Sequence, residues 1–131
     1  MRTLTVLATF AVVLALTPLV HAAEISSPAI FGSYDQDRAE CVIYNGGTGN
    51  LSVTIKILTE SGTTQAQRNC GTVPPGEFCA WSVGINFGVA YACTATAGTI
   101  ATLRGALVIQ QQVPDGFGGT YTFGIRSAPL R

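Results

Sequence analysis

The chain has 131 residues, of which 47% are hydrophobic and 11% charged, and its seven lysines and arginines balance its seven aspartates and glutamates. A neutral chain without a basic cluster does not suit nucleic-acid binding, which requires a positive surface. The single histidine, His21, lies near the N-terminus, so the chain after residue 22 lacks the commonest general base and metal ligand. The composition therefore argues against histidine-dependent hydrolases and against most zinc and copper sites.

The first 22 residues predict a helical secretory signal peptide. Arg2 supplies a positive start, Leu4–Leu16 is an apolar run, and the small residues up to Ala22 resemble a cleavage site. A membrane anchor is the competing interpretation, but the run is short for a span of about 20 residues. We therefore expect a single mature domain over residues 23–131, secreted to the periplasm or the extracellular space and without a membrane span.

Beyond the signal peptide, apolar residues alternate with period two, which is typical of strands with one buried face. The clearest case is LSVTIKI (51–57), where four aliphatic residues share one face. Other short strands are predicted, in chain order, at AIFGSY (29–34), ECVIYN (40–45), QAQRNCGTV (65–73), FCAWSV (78–83), VAYACTATA (89–97), IATLRGALVIQ (100–110) and Thr120–Ile125. Turn clusters such as NGGTGN, read as a hairpin loop, separate them. Seven or eight such strands predict an all-β sandwich or barrel.

Four cysteines, Cys41, Cys70, Cys79 and Cys93, imply two disulfides in an exported chain of this size, with three connectivities. The gaps between them are 28, 8 and 13 residues. These gaps fit neither a C-x-x-C redox motif nor the close pairs of a four-cysteine zinc site. We predict structural disulfides, with no catalytic, cofactor-binding or metal-binding residues.

The stretch YAC places Tyr91 two residues before Cys93, as in the tyrosine corner of immunoglobulin-like domains. With AIFGSY as strand A, Cys41 lies on strand B, and residues 38–110 resemble an immunoglobulin-like antiparallel β-sandwich. Trp81 lies on strand E instead of strand C, so a bacterial immunoglobulin-like or fibronectin III-like module is the nearer likeness. The NGGTGN and PPG turns are also similar to those of CARDB-type adhesion modules. The resemblance implies a Cys41–Cys93 bridge between the two sheets.

The other two cysteines, Cys70 and Cys79, are equidistant from the Pro74-Pro75 pair. In an antiparallel hairpin centred there they would face each other, so we predict a hairpin closed at its base by a Cys70–Cys79 bridge. If Cys79 points inward, Trp81 shares its face and packs in the core. Phe78, on the opposite face, is then the candidate surface contact.

The acidic cluster YDQDRAE offers Asp35, Asp37 and Glu40 as ligands for a weak calcium site. It lacks the full calcium-loop pattern and includes Arg38, so a solvated loop with local ion pairs is the favoured interpretation. The tripeptide Asn50-Leu51-Ser52 has the form of a glycosylation sequon.

Together these patterns predict a secreted, disulfide-stabilised β-sandwich without enzymatic activity, acting as a binding or structural module at the cell envelope or outside the cell. The candidate partners are a protein or a glycan, with no cofactor and no nucleic acid. One alternative is a pilus- or coat-type subunit, because FGSYD resembles the FGxYD of spore-coat U-type proteins. The run IATLRGALVIQ would then be an edge or groove strand used in strand donation. Another alternative is a secreted protease inhibitor that presents residues 71–78 rigidly.

Overall fold

The computed structural model describes residues 22–33, 36–114, 116, 117 and 119–131. The proposed signal peptide, apart from Ala22, lies outside the described residues, as does Asp35. The described residues form nine strands: β1 (Ala23–Ser26), β2 (Ile30–Phe31), β3 (Arg38–Asn45), β4 (Leu51–Thr59), β5 (Thr64–Val73), β6 (Phe78–Gly84), β7 (Ala90–Ala97), β8 (Leu103–Pro114) and β9 (Thr120–Pro129). They contain no helix long and apolar enough to cross a membrane.

The strands form two antiparallel sheets. Sheet 1 has the order β1-β7-β4-β5, with β2 also paired to β7, and sheet 2 has the order β6-β3-β8-β9. The buried apolar residues of both sheets form one core cluster between them. The predicted all-β antiparallel sandwich is confirmed, with nine strands instead of seven or eight.

The alternation in β4 shows why the sequence forms these strands. Leu51, Val53, Ile55 and Ile57 are buried, while the residues between them are more exposed. Of the strands, only β1 has no counterpart in the sequence analysis. It has four residues and a single buried side chain, Ile25, which is too little to show a period of two.

Two of the predicted turns connect strands of different sheets. NGGTGN leads from β3 in sheet 2 to β4 in sheet 1, and PPGE leads from β5 in sheet 1 to β6 in sheet 2. Interpreting NGGTGN as a hairpin loop is therefore wrong. Turn residues reverse the chain direction, but they do not determine whether the flanking strands pair with each other.

A disulfide joins the two sheets at the centre of the core. Cys41 on β3 and Cys93 on β7 are both fully buried, and their Cα atoms are 5.8 Å apart. Tyr91 is also buried, and its hydroxyl accepts a hydrogen bond from the Asn86 N–H at 2.9 Å. The Cys41–Cys93 bridge is the one that the sequence analysis gave as implied by the resemblance.

The two lateral sides of the sandwich are closed differently. On one side, Ser26 of β1 and the C-terminal Arg131 exchange two main-chain hydrogen bonds of 3.1 and 3.0 Å. Arg126 of β9 also donates to the Phe31 carbonyl at 3.5 Å. On the other side, the edge strands β5 and β6 face each other without a shared ladder. We call the first the closed side and the second the open side.

Candidate binding groove between β5 and β6

A β-bulge in β5 determines which of its side chains face the core at the open side. The pairing with β4 shifts register here, so that Cys70 is the extra residue between Asn69 and Gly71. Gly71 has a φ of 63°, a conformation that favours glycine, and its N–H donates to Asn69 Oδ1 at 2.9 Å. The bulge resets the alternation, so Cys70 and Val73, three positions apart, both pack against the core.

Residues 74–77 reverse the chain in a tight turn. The Glu77 N–H donates to the Pro74 carbonyl at 3.2 Å, and Gly76 has a φ of 79°. Proline at the second position and glycine with positive φ at the third are typical of a type II β-turn. The predicted PPG turn is thus present, with its two central residues at Pro75 and Gly76 instead of at Pro74 and Pro75.

Asn45, which is fully buried, holds this turn against the preceding loop. Its side-chain amide makes three hydrogen bonds, donating to Val73 O (2.9 Å) and Gly49 O (2.8 Å) and accepting from Gly47 N–H (3.0 Å). Its main chain makes two more, donating to Glu77 O (2.9 Å) and accepting from Gly76 N–H (2.8 Å). Five bonds at one residue tie the end of β3 to two loops and make this end of the sandwich rigid.

The second disulfide, Cys70–Cys79, crosses the open side. Its Cα atoms are 6.1 Å apart. The pairing agrees with the prediction, but the predicted hairpin is wrong, because β5 pairs with β4 and β6 pairs with β3. The turn between them carries the chain from one sheet to the other, so this bridge also joins the two sheets.

Trp81 faces inward but is not a core residue. It is in register with the fully buried Cys41, and registered residues of an antiparallel pair share a face. Nevertheless 41% of its surface is exposed, so the prediction that it packs in the core is wrong. The reason is its strand: β6 is an edge strand, and the indole lies beside the opening instead of between the sheets.

Arg68 of β5 covers the indole from the opposite edge. Its guanidinium carbon lies 5.2 Å from the centre of the Trp81 ring, which is within the range of a cation–π contact. Its Nη1 also donates to the Ala80 carbonyl at 2.9 Å. The guanidinium therefore covers the main-chain edge of β6 at this point.

A groove of about 600 Å³ runs between the two edges. Residues of β5 and β6 form its walls, and the turn closes one end: Arg68, Cys70, Thr72, Val73, Pro74, Pro75, Glu77, Phe78, Cys79 and Ala80. Phe78 is 69% exposed, which confirms it as a surface residue. The groove thus combines an exposed aromatic ring, one cation, one carboxylate and the edge of a strand.

Two residues of the acidic cluster, Asp37 and Glu40, form hydrogen bonds within the fold. The Glu40 carboxylate accepts a hydrogen bond from Gln110 Nε2, and the Asp37 main chain bonds to Gln110 and Ile85. No group of three potential metal ligands occurs within the described part of the chain. Asn50 of the sequon is exposed in the loop before β4.

Two residues that shape the groove do not stand out in the sequence. Arg68 lies two positions before Cys70, so alternation alone places it on the inward face, but a charged residue there is easily assigned to solvent. Asn45 ends a strand before Gly46, where asparagine is also common simply as a turn residue. Only the fold shows that one covers an edge strand and the other fixes a turn.

No family model matches the chain, and no curated protein matches it. A similar solved structure is the crystal structure of Thermotoga maritima 1070, with a TM-score of 0.48 and 14% identity, covering 79% of this chain and 91% of that chain. A likeness of this strength carries no argument about family or activity.

Proposed function

We propose that the protein is an exported, non-enzymatic binding module that takes an extended segment of a partner polypeptide in the groove between β5 and β6. The observation that carries this proposal is the Ala80 carbonyl on the edge of β6, which accepts a hydrogen bond from the Arg68 side chain. A side chain occupies the position where a further strand would pair.

The geometry of β6 supports strand addition. Glu77 O accepts from Asn45 N–H in the neighbouring strand, whereas Ala80 O is turned toward the groove. An added strand would replace the Arg68 donor by a main-chain N–H. Exposed Phe78 would pack against the segment, and the released Arg68 would offer a cation to an acidic side chain.

Export is supported by the N-terminal segment and by the two disulfides, which persist in oxidising compartments. The non-enzymatic role is a proposal from the sequence, which has no histidine after residue 22. The relationship to immunoglobulin-like modules is likewise a proposal, supported by the Cys41–Cys93 bridge and the Tyr91 contact.

The test uses an array of synthetic peptides of varied sequence, probed with the purified oxidised protein, and a glycan array in parallel. We expect binding to peptides that include an acidic residue, weakened about ten-fold by Phe78→Ser. The matched control is Phe31→Ser, an aromatic residue of similar exposure on the closed side, which should bind normally. Binding to glycans alone, or equal loss in both variants, would contradict the proposal.

The two alternative functions receive less support. For the coat-type subunit, IATLRGALVIQ is neither an edge nor a groove strand, because β8 is paired on both sides by β3 and β9. For the inhibitor, residues 74–77 form a tight turn, whereas a protease cleft accepts an extended segment. Size-exclusion chromatography and a protease panel test these roles: polymers or inhibition at micromolar protein would favour them over the binding module.

A further inference from the structure

The two disulfides differ in their access to solvent. Cys41 and Cys93 are fully buried on β3 and β7, each of which is flanked by strands on both sides. Cys79 is 8% exposed, Cys70 is partly buried, and both line the groove. A thiolate in solution can therefore approach the second bridge without opening the core, but not the first.

We propose that Cys70–Cys79 is a redox exchange site: an external dithiol reduces it while Cys41–Cys93 stays intact, and reduction releases β5 from β6. The reductant is a dithiol, either a small molecule or the dithiol of an oxidoreductase. This inference does not rest on the proposed binding role, because both of its readouts are measured without a partner.

The exchange proceeds in two balanced steps. One thiolate of the reductant attacks Sγ of Cys70, the more exposed of the two residues, so that a mixed disulfide forms and Cys79 leaves as a thiolate. The second thiol of the reductant then attacks the mixed disulfide, frees Cys70 and leaves the reductant as a disulfide. Two electrons and two protons pass to the protein.

Reduction acts on the open side, where no main-chain ladder joins β5 to β6. Cys70 lies at a bulge where the pairing with β4 is already interrupted. Beside the bulge, the exposed Arg68 side chain contacts the Ala80 carbonyl and the Trp81 ring, while the bonds of Asn45 to Val73 and to the turn hold only the far end of β5. The core bridge and the packed sheets hold the rest of the fold, so the effect of reduction is local.

Trp81, the only tryptophan of the chain, reports this release because it lies at the opening. The purified oxidised protein is incubated with increasing dithiothreitol in native buffer, quenched with acid, alkylated and digested for mass spectrometry. Trp81 fluorescence is followed in a parallel sample. We expect Cys70 and Cys79 to be labelled about a hundred-fold faster than Cys41 and Cys93, because a buried bridge must wait for the core to open.

Fluorescence should change with the same time course as the labelling of Cys70 and Cys79. The variant Cys70→Ser/Cys79→Ser, which keeps the core bridge, should show no change with dithiothreitol. Parallel labelling of all four cysteines, or no labelling without denaturant, would overturn the proposal. Labelling of Cys70 and Cys79 without a change in Trp81 fluorescence would overturn the release of β5.

Discussion

The two disulfides join the same two sheets in different surroundings. Cys41–Cys93 connects two interior strands and is enclosed by the core, whereas Cys70–Cys79 connects two edge strands beside a groove. Around the first, packing from every direction holds the strands in place. Around the edge bridge, the strands are held mainly by hydrogen bonds from the side chains of Asn45 and Arg68. A bridge in the core therefore adds to the stability of the whole domain, while a bridge at an edge governs local structure.

Removing each bridge in turn is the strongest test of this difference. Cys41→Ala/Cys93→Ala removes a link over a sequence separation of 52, and Cys70→Ala/Cys79→Ala removes one over 9. The loop-entropy estimate gives losses of about 4 and about 2.5 kcal/mol in the free energy of unfolding. Urea unfolding measures both values. An equal or larger loss for the edge pair would show that the open side limits the stability of the domain.

The turn at the end of the groove should depend on Asn45. We expect Asn45→Ala to lower the free energy of unfolding by about 2 kcal/mol, because Val73 O loses a donor in a buried site and Gly49 O loses one in a partly buried site. The control is Asn69→Ala, which loses one exposed acceptor bond and should cost about 0.5 kcal/mol. Urea unfolding of both variants gives the comparison, and similar losses would mean that Asn45 does not hold the turn.

The smallest expected loss of stability concerns Arg68 and Arg126. Each donates a hydrogen bond to a main-chain carbonyl, Arg68 on the open side and Arg126 on the closed side. Arg68→Ala should cost about 0.5–1 kcal/mol and change Trp81 fluorescence, because it removes an exposed cation–π contact and a hydrogen bond. Arg126→Ala, on the closed side, should cost little and leave the fluorescence unchanged, since its bond to Phe31 O is long. Thermal unfolding and emission spectra measure both. A larger loss for Arg126→Ala would show that the Arg126 contact contributes more to stability than the Arg68 contacts.

Local features of the chain could be predicted well from the sequence. The alternation in LSVTIKI matches the buried face of β4, and the Cys41–Cys93 pairing follows from a resemblance. The spacing around two prolines gives the correct Cys70–Cys79 pairing, although the hairpin assumed for it is absent. Each of these features depends either on residues close together in the sequence or on the resemblance to immunoglobulin-like domains. The all-β class follows for the same reason, because many short segments each show a period of two.

Longer-range features could not be predicted in this way. The Pro75-Gly76 turn has the same residues whether β5 and β6 pair or belong to different sheets, so the sequence alone favours the simpler hairpin. The burial of Trp81 depends on β6 being an edge strand, which is decided by how all nine strands are ordered. The groove exists because β5 and β6 belong to different sheets and both are edge strands. It therefore depends on a strand order that no short motif encodes.

The position of Asn45 also affects how long the protein lasts chemically. An asparagine followed by glycine readily loses ammonia in a flexible chain, when the glycine nitrogen attacks the side-chain amide. Here the Gly46 N–H is engaged with the Thr102 carbonyl at 3.0 Å, and the amide is held by three bonds of its own. The folded state thereby shields the residue on which its rigid end depends. Deamidation of Asn45 therefore requires this end of the sandwich to open first, so its rate should follow how often these bonds break.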